Sequence, residues 1–298
     1  MTLFFPAGLP EGLFSELCRE VGRSLDAGEP LDAVAVEALG VDYEAAFSVR
    51  SQMHMRRVKR TAARVRQDLS RLKERWLRGE SVLSLSRSVG YPPYLLMRMV
   101  LEAVCGVSRA RVSDMVKRPQ ELLADGKSPQ AGRLRAELAL ALEHDLDHNP
   151  AADRTRRIVG AEYEFLLQRQ LRARRVPFES EDELRTLGLA KTPDVRLGIP
   201  LGVRDPRSGE WREVNWIDSK AMFGDPHTFA HEHLAQLEGY VHRYGPGMVV
   251  YWFGFAAALA DPAASGDLDV VVAAEFPAEI LFPAAEAATE LPLRVRCS

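Results

Sequence analysis

Apolar residues recur every three or four positions through the first half of the chain. Leu13, Leu17, Val21 and Leu25 make one stripe, and Val58, Ala62, Val65, Leu69, Leu72 and Trp76 make a second. That is the period of helices with one buried face, and it predicts helix over most of residues 10–145. A narrower pattern lies inside this region. Ser81–Val89 reads as a short helix closed by Gly90, Tyr91-Pro92-Pro93 as a rigid turn, and the residues after it as a second helix, whose first turn tolerates proline. Two short helices across a tight turn have the outline of a helix-turn-helix. The second helix carries Arg98, a candidate contact to DNA, but is otherwise apolar, so much of it must be buried. An ordinary helical hairpin would look the same.

The pattern changes at Asn149-Pro150, a natural break. It divides the chain into a helical module, residues 1–150, and a second domain, residues 151–298. The second domain opens with a helix over 154–175. Strands follow over 194–203, 213–220, 248–255 and 268–274, with a helix over 226–244 in the middle. The order predicts an α+β protein, in which the all-helical N-terminal module precedes an α/β domain with a mixed central sheet.

Composition excludes some classes. At 46% hydrophobic and 27% charged residues the chain is an ordinary globular sequence, and no apolar run reaches the roughly 18 residues of a membrane span. The opening stretch lacks a basic start and is broken by Pro6 and Pro10, so no signal peptide is expected. Cys18, Cys105 and Cys297 form no CxxC pair, which argues against a disulfide framework or a zinc–cysteine site. No GxGxxG or GxxxxGK[ST] occurs, so no nucleotide cofactor is expected. The net charge of −3 hides a basic block: residues 50–118 hold 17 Lys/Arg against five Asp/Glu. Arg56, Arg57, Lys59 and Arg60 are its densest part. Such a block suits a polyanion, most simply nucleic acid, although a solvated helical face would also carry it.

The chemistry centres on Trp216-Ile217-Asp218-Ser219-Lys220. On a strand, Asp218 and Lys220 share a face. Alone, such a pair is most often a salt bridge. A second acid, Asp194, opens the preceding strand after Thr192-Pro193. If the two strands pair as a hairpin, Asp194 and Asp218 meet, and converging carboxylates repel unless a cation sits between them. Mg²⁺ or Mn²⁺, bound through oxygen, suits that seat. A third acid is Glu164, one helical turn beyond Gly160, which would let the helix approach the sheet closely. Glu162 points about 200° away around the helix. His227, His231 and His233 lie close together but lack an HExxH arrangement, and a rim position fits them better than zinc.

A helical acid, then Asp, then Asp-x-Lys resembles the PD-(D/E)xK nuclease superfamily, and more narrowly the codanin-interacting nuclease family with its TPD motif. The matching residues are Thr192-Pro193-Asp194, Trp216–Ala221, Phe223-Gly224-Asp225, Gln236, Tyr240, Arg243, Gly245-Pro246-Gly247 and Tyr251–Phe255. The resemblance is dense over 160–256 and looser in the helical part. It implies a restriction-endonuclease-like fold, with Asp194 and Asp218 as metal ligands and Glu164 completing the shell. Lys220 would orient or help deprotonate the attacking water. Gln236 and Tyr240, four residues apart, resemble the QxxxY helix of some relatives; with Arg243 they would contact the DNA backbone or brace the site. Asp218 stands where Glu is commoner in the superfamily.

Two readings remain open. One is a Mg²⁺- or Mn²⁺-dependent deoxyribonuclease whose helical module holds DNA. The other is a non-catalytic adaptor that binds nucleic acid or a codanin-like protein. The basic cluster at residues 56–60 fits nuclear import as well as a DNA-facing helix. The resemblance favours the nucleus, with the cytoplasm as the second compartment.

Overall fold

A computed structural model describes residues 5–118, 130–145, 147–260 and 268–283; Cys297 lies outside them. Nine helices come before the first strand among the described residues: α1 (Glu11–Ala27), α2 (Ala33–Ala38), α3 (Tyr43–Gln67), α4 (Leu69–Leu77), α5 (Val82–Val89), α6 (Pro93–Cys105), α7 (Arg109–Lys117), α8 (Ala131–His144) and α9 (Pro150–Ala173). Then come β1 (Phe178–Ser180), α10 (Glu181–Thr186), β2 (Val195–Arg204), β3 (Trp211–Lys220), α11 (Leu234–Tyr244), β4 (Gly247–Tyr251), β5 (Val270–Ala273) and β6 (Ile280–Leu281). No helix among the described residues is long and apolar enough to cross a membrane.

The chain forms two compact units. One comprises Met1–Gln52 with Ile158–Ser298, the other Met53–Arg157. This differs from the division at residue 150 that the pattern suggested, because the first helices belong with the sheet. Leu9 makes a parallel bridge to Ala256, and Phe14 stacks on Phe223 with ring centroids 5.7 Å apart. In α3, Ser48 Oγ accepts a hydrogen bond from Phe223 N at 2.8 Å, and Gln52 Nε2 donates to Phe223 O at 2.9 Å. These partners lie more than 170 residues apart in sequence, so no local pattern announces them.

In the second unit α5 and α6 follow one another across Gly90–Pro92. Ser81 caps α5 by accepting from Ser84 N, Gly90 ends it in the left-handed region at φ 61°, and Pro93 starts α6. Carboxylates from elsewhere cap both helix starts: Glu137 Oε2 accepts from Val82 N at 2.6 Å, and Asp145 Oδ2 from Tyr94 N at 3.1 Å. Negative charge is stabilising at those positions. However, α6 is the core of its unit. Leu96, Met97, Val100 and Leu101 are fully buried among Trp76, Leu85 and Leu134, and Arg98 is tied to Ser113 Oγ at 2.7 Å. The basic residues Arg109, Arg111 and Lys117 of α7 are exposed instead, while Val112 and Val116 anchor that helix.

The other unit holds a mixed sheet in the order β1-β2-β3-β4-β5, with β6 also pairing β2. The first three strands run antiparallel; β3–β4 and β4–β5 are parallel. A parallel neighbour needs a crossover, and α11 with its lead-in supplies it between β3 and β4. β4 is buried along its whole length, as expected for a strand covered on both faces. One face packs Val195, Ile217, Met248 and Val250 against Leu167 and Leu171 of α9.

Candidate active site

In the β2–β3 pair Val195 lies opposite Ile217 and Arg196 opposite Trp216. One further step in this register sets Asp194 opposite Asp218. Directly opposed side chains leave an antiparallel pair on the same face, here the face away from Ile217. Lys220, two residues on, projects from it too. Asp194 Oδ2 accepts a hydrogen bond from Ser219 N at 2.7 Å. Lys220 Nζ lies 2.6 Å from Asp218 Oδ2. That contact is a close ion pair on a buried carboxylate.

The electrostatics follow from burial. Burial, and then the charge of Asp218, holds the Asp194 carboxyl well above the ordinary aspartate range, against the pull of Ser219 N–H and Lys220. Glu164, half-buried on α9, is raised by burial and then by Glu181, Asp218 and Asp182. Among the described residues it has no hydrogen-bond or ion-pair partner, whereas Glu162 is exposed. Burial works against the Lys220 charge, but the Asp218, Asp194 and Glu164 carboxylates more than offset it, so its pKa stands above the ordinary lysine value. The reason offered by the sequence for Gly160 fails: a Cβ there would meet no atom within 4 Å. Helical phase, and the burial that follows from it, separates Glu164 from Glu162.

Residues of α11 brace this cluster. Lys220 Nζ donates to Gln236 Oε1 at 3.3 Å, Gln236 Nε2 to Tyr240 OH at 2.7 Å, and Tyr240 OH to Thr192 O at 2.8 Å. Tyr240 is 2% exposed and meets Trp216 edge-on at 5.2 Å. Its hydroxyl is engaged inside the protein, between Gln236 and the Thr192 carbonyl. Arg243 Nη1 donates to the carbonyls of Ala190 and Lys191, which holds the Thr192-Pro193-Asp194 turn from outside.

The chain resembles known proteins over most of its length. A family model described as a protein of unknown function with a TPD sequence motif matches residues 130–276. CDAN1-interacting nuclease 1 of Homo sapiens is 30% identical over 227 residues, covering 70% of this chain and 75% of the relative. The Danio rerio protein of that name is 32% identical over 228 residues, 72% of each chain, and that of Mus musculus 29% over 253, 79% and 83%. This chain belongs to the CDAN1-interacting nuclease family. No solved structure matches it.

The family's TPD turn is thus the loop whose aspartate faces Asp218, held by Tyr240 and Arg243. Around it lie acids that the sequence did not single out. Glu181 and Asp182 occupy the first turn of α10 and act on Glu164; Glu181 N bonds Asp194 O at 3.0 Å. The Ser180-x-x-Glu183 capping box that starts this helix is a legible signal for that turn.

The three histidines separate. The His227 and His231 rings stack at 4.1 Å, and His231 is exposed. His233 ends a π-helical turn, Phe229–His233, and is buried, its Nδ1 2.8 Å from Tyr251 OH. Burial first, then the Lys220 charge, lowers its pKa to about 4. An unfolded histidine titrates near 6.5, so the unfolded state binds the extra proton as pH falls from about 6.5 towards 4, and stability is lost through that window. Melting temperatures of the wild type should fall across it more steeply than those of His233→Gln. Parallel curves would refute the assignment.

Proposed function

We propose that the chain is a divalent-metal-dependent nuclease of the PD-(D/E)xK type that hydrolyses phosphodiester bonds in DNA. One observation carries this reading: the Asp194 carboxyl, just before β2, feels the Asp218 charge and accepts from Ser219 N, while Lys220 is paired to Asp218. Among the described residues no three His, Cys, Asp or Glu side chains form a ready metal cage. Mg²⁺ does not require one, since it binds through one or two carboxylates and keeps several waters. The donor set fits: hard oxygens, desolvated together, whose mutual repulsion a cation would relieve. Asp194 and Asp218 would hold Mg²⁺ or Mn²⁺, with Glu164 completing the shell. The bound ion would polarise the phosphodiester and acidify a water.

The chain's own groups do the rest. Ser219 N–H fixes the rotamer of Asp194. The Lys220 pKa lies above its ordinary value, so it acts as an ammonium that orients the water and offsets phosphate charge, rather than as the base. Gln236 fixes that ammonium. The exposed Lys59 and Arg60 of α3, with the basic residues of α7, supply backbone contacts to DNA. Replacing Arg56, Arg57, Lys59 and Arg60 together by alanine should weaken duplex binding and lower its salt slope by about one for each phosphate no longer neutralised. An unchanged slope would remove this segment from the interface. The relatives' name also specifies an interaction, so a codanin-like partner and a nuclear location belong to the same proposal.

The test is cleavage of branched, flapped and single-stranded DNA with Mg²⁺, with Mn²⁺ and with chelator. Wild type should cut only with metal, and Lys220→Met should lose about 10²–10³-fold. Binding without turnover under either metal would favour the adaptor.

A further inference from the structure

Five residues of the Phe223–Asp225 and Tyr251–Phe255 motifs take no part in the carboxylate–lysine cluster. Phe223, Trp252, Phe253, Gly254 and Phe255 converge instead on a cavity of about 300 Å³ within the sheet-containing unit. That is the lower end of ligand-pocket sizes, room for one long side chain. Asp42 and Glu44, at the start of α3, also line it, and no basic residue does. Asp42 is fixed there by accepting from Glu44 N at 2.8 Å. Tyr163 borders the cavity, its ring 5.2 Å from Trp252 and 5.4 Å from Phe253. Its phenol is raised by burial and then by the charges of Glu44, Glu162 and Asp42.

This chemistry selects an occupant. A nucleic-acid strand would bring phosphate against carboxylate. A purely apolar side chain would fill the aromatic floor but leave the two carboxylates, exposed at its rim, without a counter-charge. A guanidinium or ammonium on an apolar stem meets both requirements: the stem packs on the rings, and the cation lies over aromatic faces beside carboxylates. We propose that this cavity is a docking pocket for an arginine or lysine side chain presented by a protein partner, separate from the candidate active site.

Trp252 gives the readout, because its indole N–H is fixed on Ser219 Oγ at 2.7 Å and yields a resolvable amide-region NMR signal. The full chain, labelled with ¹⁵N, is titrated with acetyl-arginine amide, with acetyl-citrulline amide and with a single-stranded DNA oligonucleotide. The signal is assigned by its loss in Trp252→Phe. Acetyl-arginine amide should move it saturably, and citrulline, which keeps the shape without the charge, should bind at least about tenfold more weakly. Asp42→Asn with Glu44→Gln should weaken the arginine probe similarly, with the melting temperature unchanged; Asn retains the helix cap. If that pair fails to fold, Glu44→Gln alone should weaken binding severalfold. No saturable shift, equal shifts with citrulline, a stronger response to DNA, or full affinity in the folded carboxylate variant would each overturn the proposal.

Discussion

Replacing Asp218 by asparagine is expected to reduce metal-dependent cleavage by at least about 10³-fold while the protein stays folded. The substitution keeps the shape of a side chain that is 1% exposed on a central strand, so packing is preserved. It removes one of two opposed carboxylates and the charge that holds Lys220. Two effects on stability oppose each other. Lys220 loses its 2.6 Å partner, and stranding one member of a buried pair costs a few kcal/mol. Asp194 loses its nearest repulsive neighbour, which returns part of that cost. A cleavage assay with Mg²⁺, paired with a thermal melt, separates the outcomes. Retained cleavage in a folded variant would exclude Asp218 from the chemistry; lost cleavage with lost folding would call for the same test on Asp194→Asn.

The second large effect lies in packing behind the site. Gly247→Ala is expected to destabilise the protein by about 3 kcal/mol or more. A Cβ built at Gly247 falls 2.0 Å from Trp216 Cε2. Trp216 cannot yield, because it is fully buried, its Nε1 donates to Gly245 O at 2.8 Å, and Tyr240 lies against it. β4 cannot yield either, since both its neighbours pair with it in register. Chemical denaturation should show the loss, and Trp216→Leu added to Gly247→Ala should recover part of it. Wild-type stability in Gly247→Ala would mean that β4 does not lie against Trp216 in this way.

The central strands were legible from β-branched and aromatic residues set between turn signals. β3, expected over 213–220, spans Trp211–Lys220, and β2, expected over 194–203, spans Val195–Arg204. β4 was expected to reach residue 255 but stops at Tyr251. Trp252 turns aside to bond Ser219, and Gly254 takes a positive φ of 83°. An apolar composition cannot show where such a run leaves the sheet. The short strands β1 and β6 carry too few residues for any periodicity. The place of α1 depends on Leu9 and Phe14 meeting residues more than 200 positions away. Of the site, strand alternation brought out Asp218 with Lys220, and hairpin register brought out Asp194. The role of Tyr240 was only half legible, since four-residue spacing gives a shared helix face but not whether that face looks inward.

The proposed chemistry stands or falls on whether Asp194 and Asp218 together seat a divalent cation. Anomalous diffraction at the manganese edge, from crystals of the full chain soaked in Mn²⁺, tests it most directly. One peak is expected, bound by an oxygen of each aspartate at about 2.0–2.3 Å and absent in Asp218→Asn. A peak elsewhere, no peak at saturating Mn²⁺, or carboxylates more than about 8 Å apart, beyond the reach of one ion, would contradict it.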